Sequence, residues 1–121
     1  MDTNFMGCIN MTRPALPILR RSQGQIVALS SVSGEIGLGM RSMYCAAKAA
    51  VNNFYRTLRV EEPNIRISLM IIDTFSGSNF RKNSLVKADE LENRKTVSVE
   101  TVCEAVLEAA DRSAKVTFIP Q

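Results

Sequence analysis

The sequence contains no histidine and no tryptophan, and aromatic side chains make up only 6% of its 121 residues. Without histidine, neither a Ser-His-Asp nor a Cys-His mechanism is available. Only three cysteines are present, Cys8, Cys45 and Cys103, and no two of them form a Cys-x-x-Cys pair. We therefore expect no metal site and no disulfide. Each cysteine is expected to be a small buried residue in a reducing compartment.

Long apolar runs and a strong net charge are also lacking. The longest apolar runs are as short as Leu69–Ile72, whereas a membrane-spanning helix needs about twenty consecutive apolar residues. Residues 1–20 lack the features of a signal or transit peptide. The formal net charge is only +3, with acidic residues between the basic ones. These features predict no membrane span in this chain and no nucleic-acid partner.

What remains is the composition of one globular domain, with 45% hydrophobic and 22% charged residues. The hydrophobic periodicity alternates between helix and strand, which predicts a three-layer α/β fold with a parallel sheet. The helices are predicted at 3–21, at 43–60 and from the N-cap Ser98 onward, and the strands at 25–30, 65–72 and 115–119.

Several local features follow from the same patterns. The continuous apolar run of 25–30 predicts a central strand that is covered on both faces. Pro14 and Pro17 are expected to kink the second half of the first helix. Residues 73–97 are polar and predict a loop with at most one short helix. The last helix is expected to bury one stripe of side chains, composed of Val99, Val102, Cys103, Val106, Leu107 and Ala110.

One pair of residues on the second helix has a chemical use. Tyr44 and Lys48 are four residues apart, so they lie on the same face, and an ammonium group held close to a phenol stabilises the phenolate. Such pairs also arise by chance on helix surfaces. Ser31 lies thirteen residues before the tyrosine, at the carboxyl end of a predicted parallel strand, where open α/β sheets bind ligands. This context favours a catalytic reading of the pair.

The segment from Ile26 to Ala50 resembles the short-chain dehydrogenase/reductase family. The resemblance extends over most of the chain. It is most specific to the seven-type dehydrogenase/reductase members and the 11-beta-hydroxysteroid dehydrogenases. The motifs that carry it are Asn4-Phe5-Met6-Gly7, Leu16-Pro17, Gly24-Gln25-Ile26-Val27, Ser31-Val32-Ser33-Gly34, Arg41-Ser42-Met43-Tyr44 and Tyr44-Cys45-Ala46-Ala47-Lys48.

By this resemblance, Tyr44 would donate a proton to the substrate oxygen, and Lys48 would favour the phenolate and hold the nicotinamide ribose. Ser31 would orient the substrate carbonyl, and Asn4 would anchor a water of the proton relay. The implied fold is a Rossmann-like three-layer parallel sheet, with residues 1–121 forming the second, catalytic half of a doubly wound domain. The implied cofactor is NADP(H) or NAD(H), and the implied substrate is a carbonyl or alcohol of a lipid, a steroid or another small apolar molecule.

The resemblance further implies a homodimer through the helices at 3–21 and 43–60. It also implies a location in the cytoplasm or at the cytosolic face of a membrane, to which relatives of the seven type attach. Each motif residue also has a purely structural reading. Asn4 could cap the first helix, Ser31 could end a strand, and Tyr44 could be an amphipathic surface residue.

The sequence departs from the family pattern at two places. The family binds its dinucleotide at a Thr-Gly-x-x-x-Gly-x-Gly turn, which this sequence lacks. Gly34–Gly39 imitates such a loop with different spacing, and we interpret it as a loop beside the active site. The family usually has Pro-Gly and then a threonine after the second strand. This chain has Asp73-Thr74-Phe75-Ser76-Gly77-Ser78, in which Ser78 is the candidate cofactor contact.

The absent glycine turn leaves alternatives open. The chain is expected to be either a fragment of a longer protein or a short form that needs a partner, with an unpaired apolar edge at strand 25–30. It could be the catalytic half of an oxidoreductase or a catalytically inactive dimerisation or interaction module. A third possibility is a nucleotide-binding regulator that performs no chemistry.

Overall fold

The structure is a computed structural model that describes residues 1–73 and 97–119. Its elements are α1 (Gly7–Ser22), β1 (Gln25–Ser31), α2 (Ser42–Glu61), β2 (Arg66–Ile72), α3 (Val99–Asp111) and β3 (Val116–Ile119), with a π-helical turn at Asp2–Met6 and a 3-10 turn at Val32–Gly34. The three strands are parallel, in the order β1-β2-β3. This arrangement confirms the predicted α/β fold with its parallel sheet.

The centre of the sheet is β2, which is covered on both faces. Successive side chains of a strand point to opposite faces. Leu69 and Ile71 pack in a cluster with Val51 and Leu58 of α2. Met70, which is 0% exposed, packs in a second cluster with residues of α3. The helices therefore form two outer layers around the sheet, as predicted.

The prediction of a central strand at 25–30 is wrong for the part of the chain that the structure describes. There, β1 pairs with β2 alone and lies at the edge of the sheet. Ala28 is buried in the cluster beneath α2, whereas Val27 and Leu29, on the opposite face, are 36% and 55% exposed. Val27 and Leu29 are exposed because α3, the helix on that face of the sheet, packs against β2 and β3. The expected apolar edge is present.

Helix α1 is continuous through Pro14 and Pro17. Its irregular backbone lies earlier, in the π-helical turn that contains Asn4. Because the residue that precedes α1 is Met6 and no side chain caps that end, the reading of Asn4 as a helix cap is wrong. The helix ends at Gln23, which adopts a left-handed conformation (φ 51°).

Helix α3 begins as predicted, since the Ser98 hydroxyl accepts a hydrogen bond from the Thr101 N–H at 3.2 Å. Its predicted buried stripe is partly wrong, because Cys103 and Leu107 are exposed and the buried residues are Val102 and Ala109. The stripe is rotated towards Ala105 and Ala109, which pack with Val102 and Val106 in the cluster around Met70.

The three cysteines are free, as predicted, but none of them is buried. Cys8 and Cys45 are half-buried, and Cys103 is exposed on α3. The predicted loop at 73–97 and its Ser78 lie outside the described residues, apart from the two ends of the loop. Within the described ranges, no helix has the length and apolar character that a membrane crossing requires.

Candidate active site

Three of the four proposed catalytic residues are brought to the carboxyl edge of the sheet by the chain path, and the fourth, Asn4, precedes the first helix. Helices α1 and α2 each end a few residues before a strand begins, so their amino-terminal ends lie near the opposite, carboxyl edge of the sheet. Ser31 ends β1 at this edge, and Tyr44 lies in the first turn of α2. The π-helical turn with Asn4 and the 3-10 turn after Ser31 both pack against α2.

The side chains of Tyr44 and Lys48 lie close together on α2. The ammonium nitrogen Nζ of Lys48 lies 5.9 Å from the centroid of the Tyr44 ring, within the range of a cation–π interaction. Burial lowers the pKa of the Lys48 ammonium, against an opposing electrostatic effect of the Cys8 side chain. The helix spacing of four thus places the cation beside the phenol, as predicted.

Ser31 has a defined orientation. Its Oγ accepts a hydrogen bond from the Ser33 N–H at 3.2 Å and donates one to the Ser33 Oγ at 3.2 Å. Ser33 is itself buried. Ser31 therefore both ends β1 and caps the 3-10 turn, which confirms its structural reading.

Asn4 lies in the π-helical turn and is exposed. Such turns occur mostly as local departures from α-helix and are frequent at functional sites. The Asn4 carbonyl accepts a hydrogen bond from the Cys8 thiol at 3.4 Å. The turn is attached to α2 by Phe5, whose ring meets that of Phe54 edge-on with centroids 6.2 Å apart.

Two groups of residues near the site were missed by the sequence interpretation. The Glu35 carboxylate accepts hydrogen bonds from Asn52 and Arg56 of α2. Thr12 of α1 and Tyr55 of α2 share a buried hydrogen bond. The first group had a signal in the sequence, because Asn52 and Arg56 continue the spacing of four that begins with Tyr44 and Lys48.

Comparisons with known proteins show the family to which the chain belongs. The family model "short chain dehydrogenase" matches residues 1–85. The 11-beta-hydroxysteroid dehydrogenase A of Sesamum indicum is 40% identical over 117 residues, which cover 93% of this chain and 33% of that protein. Dehydrogenase/reductase SDR family member 7B of Bos taurus is 41% identical over 73 residues, which cover 60% of this chain and 22% of that protein.

Solved structures show the same fold. A short-chain dehydrogenase from Sphingobium yanoikuyae in complex with NADPH aligns with a TM-score of 0.85 at 22% identity, covering 97% of this chain and 46% of that chain. One from Burkholderia cenocepacia in complex with NADP aligns with a TM-score of 0.84, covering 100% of this chain and 48% of that chain.

The chain belongs to the short-chain dehydrogenase family, because the family model matches well over half of it. It spans 33% of the length of the sesame relative and 46% of the length of the Sphingobium structure. The strands and helices described above are therefore those of a Rossmann-like fold.

Proposed function

We propose that this chain supplies the catalytic residues of an NADP(H)- or NAD(H)-dependent oxidoreductase that interconverts a carbonyl and an alcohol. The observation that carries the proposal is the position of the Lys48 ammonium 5.9 Å from the centroid of the Tyr44 ring, on the helix that packs against the turn capped by Ser31. The proposed substrate is a lipid, a steroid or another small apolar molecule. Hydroxysteroid dehydrogenases among the relatives support that class. The proposal includes a location in the cytoplasm or at the cytosolic face of a membrane.

The proposed roles follow from the chemistry of each group. The Tyr44 phenol donates a proton to the substrate oxygen in the reductive direction, and the Lys48 cation stabilises the phenolate that remains. For Ser31 to hold the substrate carbonyl, its hydroxyl proton turns from Ser33 towards the substrate oxygen. Asn4 anchors a water that returns a proton to the pair.

The donor set fits a nicotinamide cofactor. The half-buried Lys48 ammonium can donate hydrogen bonds to ribose hydroxyls from the same edge of the sheet as Ser31. Ser78 is a further proposed contact to the nicotinamide. When bound, the cofactor supplies the hydride. NADPH and NADP in the solved relatives support the phosphorylated form.

Replacement of Tyr44 by phenylalanine tests the proposal. In the full-length protein, with NADPH and a panel of steroid and aromatic ketones, Tyr44→Phe should lower kcat by about 10²- to 10⁴-fold, because the proton donor is lost. Tyr55→Phe is the matched control, since it removes the only other phenolic hydroxyl of the sequence. Equal turnover by the Tyr44→Phe variant and the parent would contradict the proposal.

A measurement of NADPH binding distinguishes an enzyme from the two alternative functions, a nucleotide-binding regulator and an interaction module. Fluorescence titration with the parent and with Lys48→Ala should show binding that weakens at least tenfold in the variant. Tight binding without turnover of any ketone would favour a regulator that retains the site. Absence of binding by the full-length protein would favour an interaction module.

A homodimer is the second proposal, and the exposed face of α2 supports it. Between residues 43 and 60, every exposed side chain of this helix is uncharged. They are Met43, Ala46, Ala49, Asn53, Thr57 and Val60. On α1, Met11 and Ile18 are 77% and 61% exposed, seven residues apart on one face. A solvated helix face normally carries charge, so these faces fit a second copy of the chain.

Sedimentation velocity tests the dimer. Thr57→Arg places a charge in the middle of the uncharged face of α2 and should shift the protein from dimer to monomer. Leu107→Arg is the control, because Leu107 is 69% exposed on α3, away from that face. A parent that is monomeric at micromolar concentration, or a Thr57→Arg variant that stays dimeric, would contradict the proposed interface.

A further inference from the structure

Helix α2 carries a line of four polar residues, of which only the first two have a role in the proposed reaction. Tyr44, Lys48, Asn52 and Arg56 follow one another at intervals of four residues, so they lie along one side of the helix. Asn52 is 1% exposed although it is an amide. A buried amide is costly unless it is hydrogen-bonded, which directs attention to its partner.

That partner is Glu35, which follows the 3-10 turn after Ser31. The Glu35 Oε1 atom accepts a hydrogen bond from the Asn52 Nδ2 at 2.8 Å and another from the Arg56 Nη2 at 2.7 Å. The bond from the Arg56 guanidinium is charge-assisted, which makes it stronger than a bond between neutral groups. Together, the two hydrogen bonds attach Glu35, at the end of the turn, to α2.

The last residue of the turn, Gly34, lies against the same helix. A Cβ atom at this position would lie 2.7 Å from the carbonyl carbon and oxygen of Lys48 and 2.5 Å from the Asn52 Nδ2. The turn therefore touches the backbone of the proposed catalytic lysine directly. Only a residue without a side chain allows this approach.

The turn transmits this attachment to Ser31. The N–H groups of Glu35 and Ile36 both donate to the Val32 carbonyl, at 2.8 and 3.0 Å. At its other end, the Ser33 N–H donates to the Ser31 Oγ. A short hydrogen-bonded segment thus connects the hydroxyl of Ser31 to the helix that carries Tyr44 and Lys48.

We propose that Glu35, held by Asn52 and Arg56, is a positioning residue that fixes the Ser31 hydroxyl relative to Tyr44 and Lys48. This inference rests on the proposed function, because it assumes that Ser31 and Tyr44 act on one substrate oxygen. Two donors must then converge on one atom, and a displacement of about 1 Å can lower the rate roughly 10²-fold. Glu35 itself touches neither substrate nor cofactor.

Replacement of Glu35 in the full-length protein tests the inference, with NADPH and 4-nitrobenzaldehyde as the probe. Glu35→Ala should lower kcat about 10- to 100-fold, with the Kd for NADPH changed less than threefold, because Lys48 stays on its helix. Glu35→Gln retains an acceptor oxygen for Asn52 and Arg56, and it should restore kcat to within about fivefold of the parent. If Glu35 only supported stability, Glu35→Ala would lower the melting temperature, but it would not lower kcat while leaving the Kd for NADPH nearly unchanged.

The matched control is Glu108→Ala, which removes a glutamate of α3 from another glutamate–arginine pair, formed with Arg112 at the end of that helix. It should leave kcat unchanged. A Glu35→Ala variant with the kcat of the parent would overturn the inference, and so would an equal loss in Glu108→Ala.

Amide hydrogen exchange distinguishes a failure of this inference from a failure of the proposed function. Glu35→Ala should accelerate exchange at the amides of Ser33, Glu35 and Ile36 at least tenfold, whereas Glu108→Ala should not. A parent without turnover refutes the proposed function and the positioning role together. A parent that turns over, with Tyr44→Phe inactive and the amides unaffected by Glu35→Ala, refutes the positioning role alone.

Discussion

The phenolic oxygen of Tyr55 lies 2.8 Å from the hydroxyl oxygen of Thr12, and both residues are buried where α1 meets α2. Burial raises the pKa of the Tyr55 phenol, against a smaller opposing effect of the Thr12 hydrogen bond, so the phenol stays neutral at physiological pH. The bond joins the helix that follows Asn4 to the helix that carries Tyr44 and Lys48. The bond therefore contributes to the packing of α1 against α2.

We expect Tyr55→Phe to lower the free energy of unfolding by about 1–3 kcal/mol, because the Thr12 hydroxyl is then buried without its partner. Thr12→Val should have a similar effect. The double variant removes both polar groups, so its loss should be smaller than the sum of the two single losses. Urea unfolding measures all three variants. Strict additivity would show that the two hydroxyls do not depend on each other.

Gly34→Ala should disturb both stability and the proposed reaction. The added methyl group meets the Lys48 carbonyl and the Asn52 side chain, so the turn must move away from α2. Such overpacking costs about 1–3 kcal/mol. Gly37→Ala, in the same loop, is the control, because its added Cβ has no neighbour within 4 Å among the described residues. Thermal unfolding should separate the two variants, and equal melting temperatures would contradict the close contact at Gly34.

Lys48→Met should raise the stability of the protein at neutral pH while it removes the proposed activity. Burial lowers the pKa of Lys48 below the ordinary 10.5, so the folded state disfavours the ammonium form. The advantage of methionine is therefore complete below the folded-state pKa and disappears as the pH rises towards 10.5. Because the ammonium is partly exposed, the gain is small. Melting temperatures of parent and variant between pH 7 and pH 10.5 check this, and a gap that widens with pH would contradict it.

The sequence predicted this fold well where a pattern is local. The periodicity of 43–60, the apolar run of 65–72 and the Ser98 cap each specify an element from its own residues, and all three are confirmed. The strand at 25–30 is also confirmed, but its predicted central position is wrong, because an apolar run shows what a strand can bury and not which strands lie beside it in the described structure. Leu107 was misplaced because helical periodicity leaves the rotation of a short helix uncertain by one residue.

The same distinction holds at the candidate site. Tyr44 and Lys48 were predictable as neighbours because four residues span one helical turn. The bond from Asn52 to Glu35 joins residues seventeen apart, and the bond from Thr12 to Tyr55 joins residues forty-three apart. Their geometry is set by how the turn and the helices pack, which no local pattern records. The signal available in the sequence was the spacing of four residues, which continues from Tyr44 and Lys48 to Asn52 and Arg56.

Ser98→Ala should shorten or fray the first turn of α3. The Ser98 hydroxyl accepts the Thr101 N–H, which has no partner within the helix. Loss of such a cap costs about 0.5–2 kcal/mol, whereas Ser98→Asp retains an acceptor and adds a favourable charge at the helix amino terminus. Chemical denaturation should therefore rank Ser98→Asp at or above the parent and Ser98→Ala below it. The reverse order would show that the hydroxyl does not act as the cap.

The exposed face of β1 should make the 121-residue chain associate when it is purified by itself. Val27 and Leu29 expose apolar surface on a strand whose outer edge has no neighbouring strand among the described residues. Exposed apolar edge strands favour pairing with other chains, and an inserted lysine opposes it. Leu29→Lys should therefore reduce the concentration-dependent light scattering of the chain. Leu107→Lys changes an equally apolar residue that is 69% exposed on a helix, where no backbone hydrogen-bonding groups are free, and it should have a much smaller effect. If both variants reduced scattering equally, exposed apolar area in general, rather than the edge of β1, would drive the association.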